Sequence, residues 1–202
     1  MNSVSVGSDG KRRCDWAWSA PEFIAYHDTE WGFPVDDDHR LFEKLCLEGF
    51  QSGLSWRTIL NKRENFREAF ENFDFERIAR FTPKRIERLL TNAGIVRHRG
   101  KIESVVNNAR RARELCEQEG SLGAFVWRFE PERHSDRPAT PVSTSPESIA
   151  FSRALKKRGW SFVGPTTAYA FMQSMGLVND HGPQCVIHAR CERARRAFKR
   201  PG

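Results

Sequence analysis

Little in this chain would place it in a membrane or outside a cell. None of its apolar runs reaches the length needed to span a bilayer, and its first residues carry no apolar signal segment. Five cysteines, Cys14, Cys46, Cys116, Cys185 and Cys191, are an odd number in 202 residues and make no disulfide framework. The expected setting is a reducing cytoplasm. Strand-type alternation of useful length is missing, as is any internal repeat, which leaves an all-α fold. Excess charge is also scarcer than the net +7 suggests. Residues 1–13 carry Lys11, Arg12 and Arg13 against Asp9, and residues 186–202 carry six Arg/Lys against Glu192. Between those ends lie 24 basic and 24 acidic residues, so the basic character belongs to the termini. What remains is local asymmetry. Acids crowd residues 22–48, while Arg97, Arg99, Lys101, Arg110, Arg111 and Arg113 crowd a later stretch.

Helix signals are plentiful. Residues 1–12 are Ser/Gly-rich and read as a disordered tail, 13–185 as one domain of two intimate helical lobes, and 186–202 as a basic tail. Pro21 suits the first turn of a helix over 22–31, on which Phe23, Tyr26 and His27 share a face. A helix over 57–70 buries Ile59, Phe66 and Phe70. Asp74 caps a short helix, and Thr82-Pro83 opens one carrying Ile86, Leu89 and Leu90. A long helix runs from about Arg99 to Cys116, and Ser121 caps a short aromatic one. Residues 131–146 hold four prolines and many Ser/Thr and read as a loop. Helices then follow from Ser145-Pro146 and from Gly164-Pro165.

The stretch Leu41 to Trp56 organises the rest. Asp36, Asp37 and Asp38 favour a helix start, because unpaired N–H groups there attract negative charge. Leu41 and Leu45 define an apolar face, and Glu48 falls on that same face. A buried carboxylate needs a partner or a task. An arginine partner is the plainer explanation. Leu54 and Trp56 follow on a turn.

Three further groupings carry chemistry. Cys14, His27, His181 and Cys185 could bind one ion, although His188 and Cys191 offer competing pairs. Leu89 to Ile102 runs from an apolar helix through Gly94-Ile95-Val96 into a basic helix start. That is the layout of a helix–hairpin–helix, which holds DNA phosphate without reading sequence, with its second glycine replaced. Gly94, Arg97, Arg99 and Lys101 are its candidate contacts. Finally, a carboxylate beside several flat rings makes a slot for a planar base. A phosphate-holding hairpin with such a slot suggests an enzyme that extrudes a nucleotide.

Several unusual words of sequence then resemble one family. They are Arg13-Cys-Asp-Trp16, Tyr26-His-Asp-Thr-Glu-Trp-Gly32, Cys46-Leu-Glu-Gly49, Gly53-Leu-Ser-Trp56, Lys62-Arg-Glu-Asn65, Ile95 to Ile102, Ala154 to Gly159, Phe162-Val-Gly164 and Phe171 to His181. In this order, from Cys14 to about Cys185, they are similar to 3-methyladenine DNA glycosylase I. The resemblance implies a helix–hairpin–helix-superfamily glycosylase that excises 3-methyladenine from double-stranded alkylated DNA without cutting the strand. It implies one structural zinc on Cys14, His27, His181 and Cys185. Glu48 becomes the base-reading carboxylate, with Trp16, Phe23, Tyr26, Trp31 and Trp56 around the base, favouring a positive over a neutral purine. Leu54 becomes a candidate wedge in the duplex. Asp180 stands where the superfamily has a catalytic aspartate, but its place beside His181 favours a supporting role. A monomer is expected. Phe23 stands where some relatives have tyrosine, and Phe50 where glutamine is expected. The competing readings are a metal-stabilised DNA-binding module without catalysis and a metal hydrolase.

Overall fold

The computed structural model describes residues 3–132 and 142–202, and helices dominate them. An antiparallel hairpin of β1 (Val4–Val6) and β2 (Arg12–Cys14) comes first. The helices follow as α1 (Pro21–Thr29), α2 (Asp38–Gln51), α3 (Trp56–Asn61), α4 (Arg63–Ala69), α5 (Phe75–Ile78) and α6 (Pro83–Leu90). Then come α7 (Arg99–Glu119), α8 (Leu122–Trp127), α9 (Pro146–Lys157), α10 (Pro165–Ser174) and α11 (His188–Ala197). No helix among the described residues is long and apolar enough to cross a membrane.

Helix α2 packs against α3, α7, α8 and α10. Its start shows how three adjacent aspartates divide their work. Asp37 caps α2 by accepting the Arg40 N–H at 2.8 Å. Asp38 reaches across instead and accepts the Leu122 and Gly123 N–H groups at the start of α8. Leu41, Phe42, Leu45, Leu47 and Phe50 are buried along α2. Each contributes about 1.5–3 kcal/mol relative to an exposed side chain. Leu45→Ala would cost about 2–5 kcal/mol, because a cavity adds to the lost transfer term. A second, smaller core gathers Cys14, Tyr26, Trp31, Cys185, Ile187 and Cys191 at the meeting of the chain's two ends.

Both ends depart from the expected tails. Residues 4–14 form the hairpin, with Arg13 buried and its guanidinium on Asp28 and Asp9. The Trp18 ring lies where a side chain on Gly7 would be, so the hairpin packs on the domain. Three-residue strands are too short to show alternation, which is why they escape sequence reading. At the other end α11 folds back. Arg195 is buried, donates to the carbonyls of Gly176 and Leu177, and pairs with Glu130. Arg200 also reaches Glu130, and Phe198 lies 4.5 Å from Trp127, centroid to centroid. Two of the six basic residues at this end are thus committed to the fold. The helix expected over 57–70 is two, broken at Lys62, whose amine donates to the carbonyls of Ala93 and Gly94. Of the expected 131–146 loop, residues 133–141 lie outside the described residues.

Candidate functional site, an aromatic slot beside a Cys/His cluster

Helix α1 serves two sites through adjacent residues. Its Tyr26 lines a cavity of about 290 Å³, and its His27 enters a cluster of side chains that could hold a metal ion. The cavity lies at the small end of the range for ligand sites. Trp16 reaches it from a 3-10 turn, Phe23 and Tyr26 from α1, Trp31 from the residues after α1, and Trp56 from the start of α3. Glu48 and Gln51 enter from α2, Ala170 and Gln173 from α10. The structure therefore brings Glu48 and the five aromatic candidates together. Trp16 stands edge-on to Trp31 at 5.1 Å and to Phe23 at 5.8 Å, so the walls brace one another.

Glu48 is 6% exposed and its Oε1 lies 2.9 Å from Lys44 Nζ, one turn earlier on α2. The partner is a lysine and not an arginine. Lys44 Nζ also donates to the Tyr26 hydroxyl at 2.7 Å and sits 3.5 Å over the Trp56 ring. Burial lowers the Lys44 pKa, with the Glu48 carboxylate opposing that shift. Burial likewise raises the Tyr26 phenol, and the nearby Glu48 charge adds to it. Sequence reading missed Lys44, although a lysine four residues before a buried glutamate is a legible pair.

Phe50 is buried in the main core, 4.5 Å from Phe66, so the missing glutamine there lies off the slot. Gln51 is the glutamine that lines it. Asp180 Oδ2 accepts from the Tyr169 hydroxyl at 2.7 Å and from Gln173 Nε2 at 2.8 Å. It thus orients a lining residue from behind.

Across α1, the donor atoms of Cys14, His27, His181 and Cys185 all lie within 4.8 Å of one another and all four residues are buried. This group could hold a metal ion. Cys185 Sγ is 3.5 Å from His27 Nε2 and 3.6 Å from His181 Nδ1, and Cys14 Sγ is 3.6 Å from the same His181 atom. Each imidazole's other nitrogen is engaged, His27 Nδ1 with Asp28 and His181 Nε2 with the Trp31 carbonyl. Arg13 in turn grips Asp28. A hydrogen bond from Cys14, with help from both histidines, holds the Cys185 thiol far below its usual range, while that bond and burial raise Cys14. His188 and Cys191 stand outside the set, Cys191 with its thiol on the Trp31 carbonyl and raised to about 12 by burial.

The remaining candidates are spread around the slot. Leu54 is 40% exposed on the turn after α2, where Gly53 adopts a φ of +77° that a side chain would strain. Gly94 sits in the α6–α7 turn, its N–H bound to Asn92 Oδ1. Arg97 is exposed, and Arg99 is exposed but paired with Glu87. Lys101 leaves the phosphate-contact set. It is buried, and its amine donates to the carbonyls of Phe50 and Ser52 at the end of α2. Its position in the first turn of α7 aims it inward, where it ties the start of that helix to the Leu54 turn.

The family model for methyladenine glycosylase matches residues 16–188. The chain is 48% identical to DNA-3-methyladenine glycosylase 1 of Escherichia coli over 180 residues, which is 87% of this chain and 96% of that protein. It is also 48% identical to DNA-3-methyladenine glycosylase of Haemophilus influenzae, covering 86% of this chain and 96% of the relative. A crystal structure of 3-methyladenine DNA glycosylase I superposes with a TM-score of 0.80 at 50% identity, covering 87% of this chain and 99% of the other. The Staphylococcus aureus enzyme, whose structure addresses 3-methyladenine recognition, superposes at 0.79 with 35% identity, over 87% and 95% of the two chains.

Proposed function

The chain belongs to the methyladenine glycosylase family, and we propose that it flips 3-methyladenine out of alkylated duplex DNA and hydrolyses its N-glycosidic bond. The observation that carries this reading is a buried carboxylate, Glu48, inside a base-sized aromatic slot. Methylation at N3 makes the base cationic, so its bond to deoxyribose is weak and the base leaves readily. The protein's task is then to find the lesion, meet the few kcal/mol of unstacking, and hold the base as the bond breaks. Trp16, Phe23, Tyr26, Trp31 and Trp56 supply stacking and edge contacts. Glu48 Oε1 is engaged by Lys44, which leaves Oε2 to accept from the amino edge of adenine.

Leu54, exposed on a taut turn near the slot, has the position and the apolar side chain of a wedge for the gap in the duplex. The α6–α7 turn, a helix–hairpin–helix in layout, would hold phosphate through backbone N–H groups near Gly94 and through Arg97 and Arg99. The buried amines of Lys44 and Lys101 are both committed, Lys44 to Glu48 and Tyr26 and Lys101 to the carbonyls of Phe50 and Ser52, which favours base excision without strand cleavage.

Zinc suits the Cys/His group. Bond lengths of about 2.3 Å to sulfur and 2.0–2.1 Å to nitrogen at tetrahedral angles require S–N separations of about 3.6 Å. Three of the four S–N separations, those of Cys185 to both histidines and of Cys14 to His181, are 3.5 or 3.6 Å. Hydrogen bonds to the far nitrogens of both histidines orient the rings for ligation. Four protein ligands close the coordination sphere, so the ion would staple the hairpin, α1 and the C-terminal segment and take no part in hydrolysis. That closure argues against a metal hydrolase. We expect a cytoplasmic monomer.

The test is incubation of the purified protein with alkylated duplex DNA and chromatography of the released bases. Free 3-methyladenine with intact strands is the expected product. DNA binding with no base released would favour a binding module and overturn the proposal.

A further inference from the structure

Behind the slot the charges are paired off. Glu30 pairs with Arg63, Glu43 with Arg67, and Glu48 with Lys44, while Arg40 stands at the exposed rim. Lys44 also occupies one face of Trp56, using ring electron density that would otherwise attract a cation. A slot built simply to capture a positive base would keep both its carboxylate and its ring free. This one commits one oxygen of the carboxylate and one face of the ring to Lys44.

We propose that Lys44 is a positioning residue that neutralises the base slot, so that the slot no longer favours the cationic base still attached to DNA over the departing neutral base. The inference rests on the glycosylase reading above. When the C1′–N9 bond breaks, its electron pair moves onto the base and cancels the positive charge. The sugar becomes the cation, and water adds at C1′ with loss of a proton. Positive charge therefore leaves the slot as the reaction proceeds. An uncompensated carboxylate would stabilise the starting complex more than the transition state, and such binding does not speed the chemical step. Lys44 removes that penalty while fixing Glu48 Oε1 and the Tyr26 hydroxyl in place. The preference for positive purines that a lone Glu48 implies is thereby cancelled.

Two probes separate the charge effect from shape, namely neutral 3-methyladenine and the permanently cationic 3,9-dimethyladeninium, at mildly alkaline pH. Wild-type protein should bind the two with similar Kd. Lys44→Met should shift the ratio of the two Kd values about tenfold toward the cation, the scale of one charged hydrogen bond. On alkylated DNA its KM should fall together with kcat, a split that a merely loosened fold would not produce. Lys44→Arg should restore the wild-type ratio. An unchanged ratio in Lys44→Met overturns the proposal. If that variant does not fold, the wild-type measurement decides alone, and a preference of about tenfold or more for the cation overturns it. Failure of wild-type protein to release 3-methyladenine would strike the function itself, and so is distinguishable from either result.

Discussion

The two faces of α1 handle buried polar groups in opposite ways. On the His27 face, each imidazole nitrogen turned away from the Cys/His group meets an acceptor, and the sulfurs and remaining nitrogens converge on one point. On the Tyr26 face, the groups are braced from behind by Lys44 and Asp180, and they open onto a cavity. A closed, convergent set holds structure together, whereas a braced set with an open side is arranged to receive something. Tyr26 and His27 are neighbours in sequence, so the first site positions the second.

The largest effect should come from breaking the closed side. Cys14→Ser should lower metal content and the melting temperature together, by roughly 10 °C if about 3–4 kcal/mol is lost in a domain of this size. Excision should fall with it, since α1 carries both sites. An unchanged melting temperature would separate the cluster from the fold. Next, Glu48→Gln should cut kcat/KM by about ten- to a hundredfold, from the loss of a charged hydrogen bond, with metal content unchanged. Metal analysis beside the kinetics checks both halves of that statement. Leu54→Ala should leave the melting temperature alone and slow excision from duplex DNA several-fold, with less effect on single strands. Equal losses on both substrates would count against a wedge.

The smallest effect concerns Glu22, whose pKa is lowered to about 2 by the Arg57 hydrogen bond, with Asn61 assisting. A folded pKa below the ordinary value of 4.5 means the pair stabilises the fold above about pH 4.5 and is lost as pH falls toward 2. Glu22 is half-buried but its partner Arg57 is exposed to solvent, so Glu22→Gln should flatten the acid limb of the melting curve only slightly. Melting scans across that pH window would register it.

How far these features can be read in sequence depends on their range. Helix starts are local, so Asp37, Thr82, Ser121 and Ser145 mark them in the sequence as they do in the structure. The burial of Glu48 follows from helical spacing. Its pairing with Lys44 is equally local, but arginine is far commoner in the chain and is the expected partner. Other features required the fold. Nothing nearby in sequence turns Lys101 toward the carbonyls of Phe50 and Ser52, or sends Asp38 to cap α8. Similarly, choosing Cys14 and His27 as partners of His181 and Cys185 over His188 and Cys191 needs contact between distant segments. The C-terminal helix reads as a basic tail in sequence because Glu130, which pairs with both Arg195 and Arg200, lies far upstream.

Titration with free 3-methyladenine, followed through the indole N–H resonances of the six tryptophans, tests the contrast between the two faces most directly. The account predicts that Trp16, Trp31 and Trp56 shift in a saturable way while Trp127 and Trp160, buried elsewhere in the core, stay still. Uniform shifts, or shifts that spare the three slot residues, would contradict it.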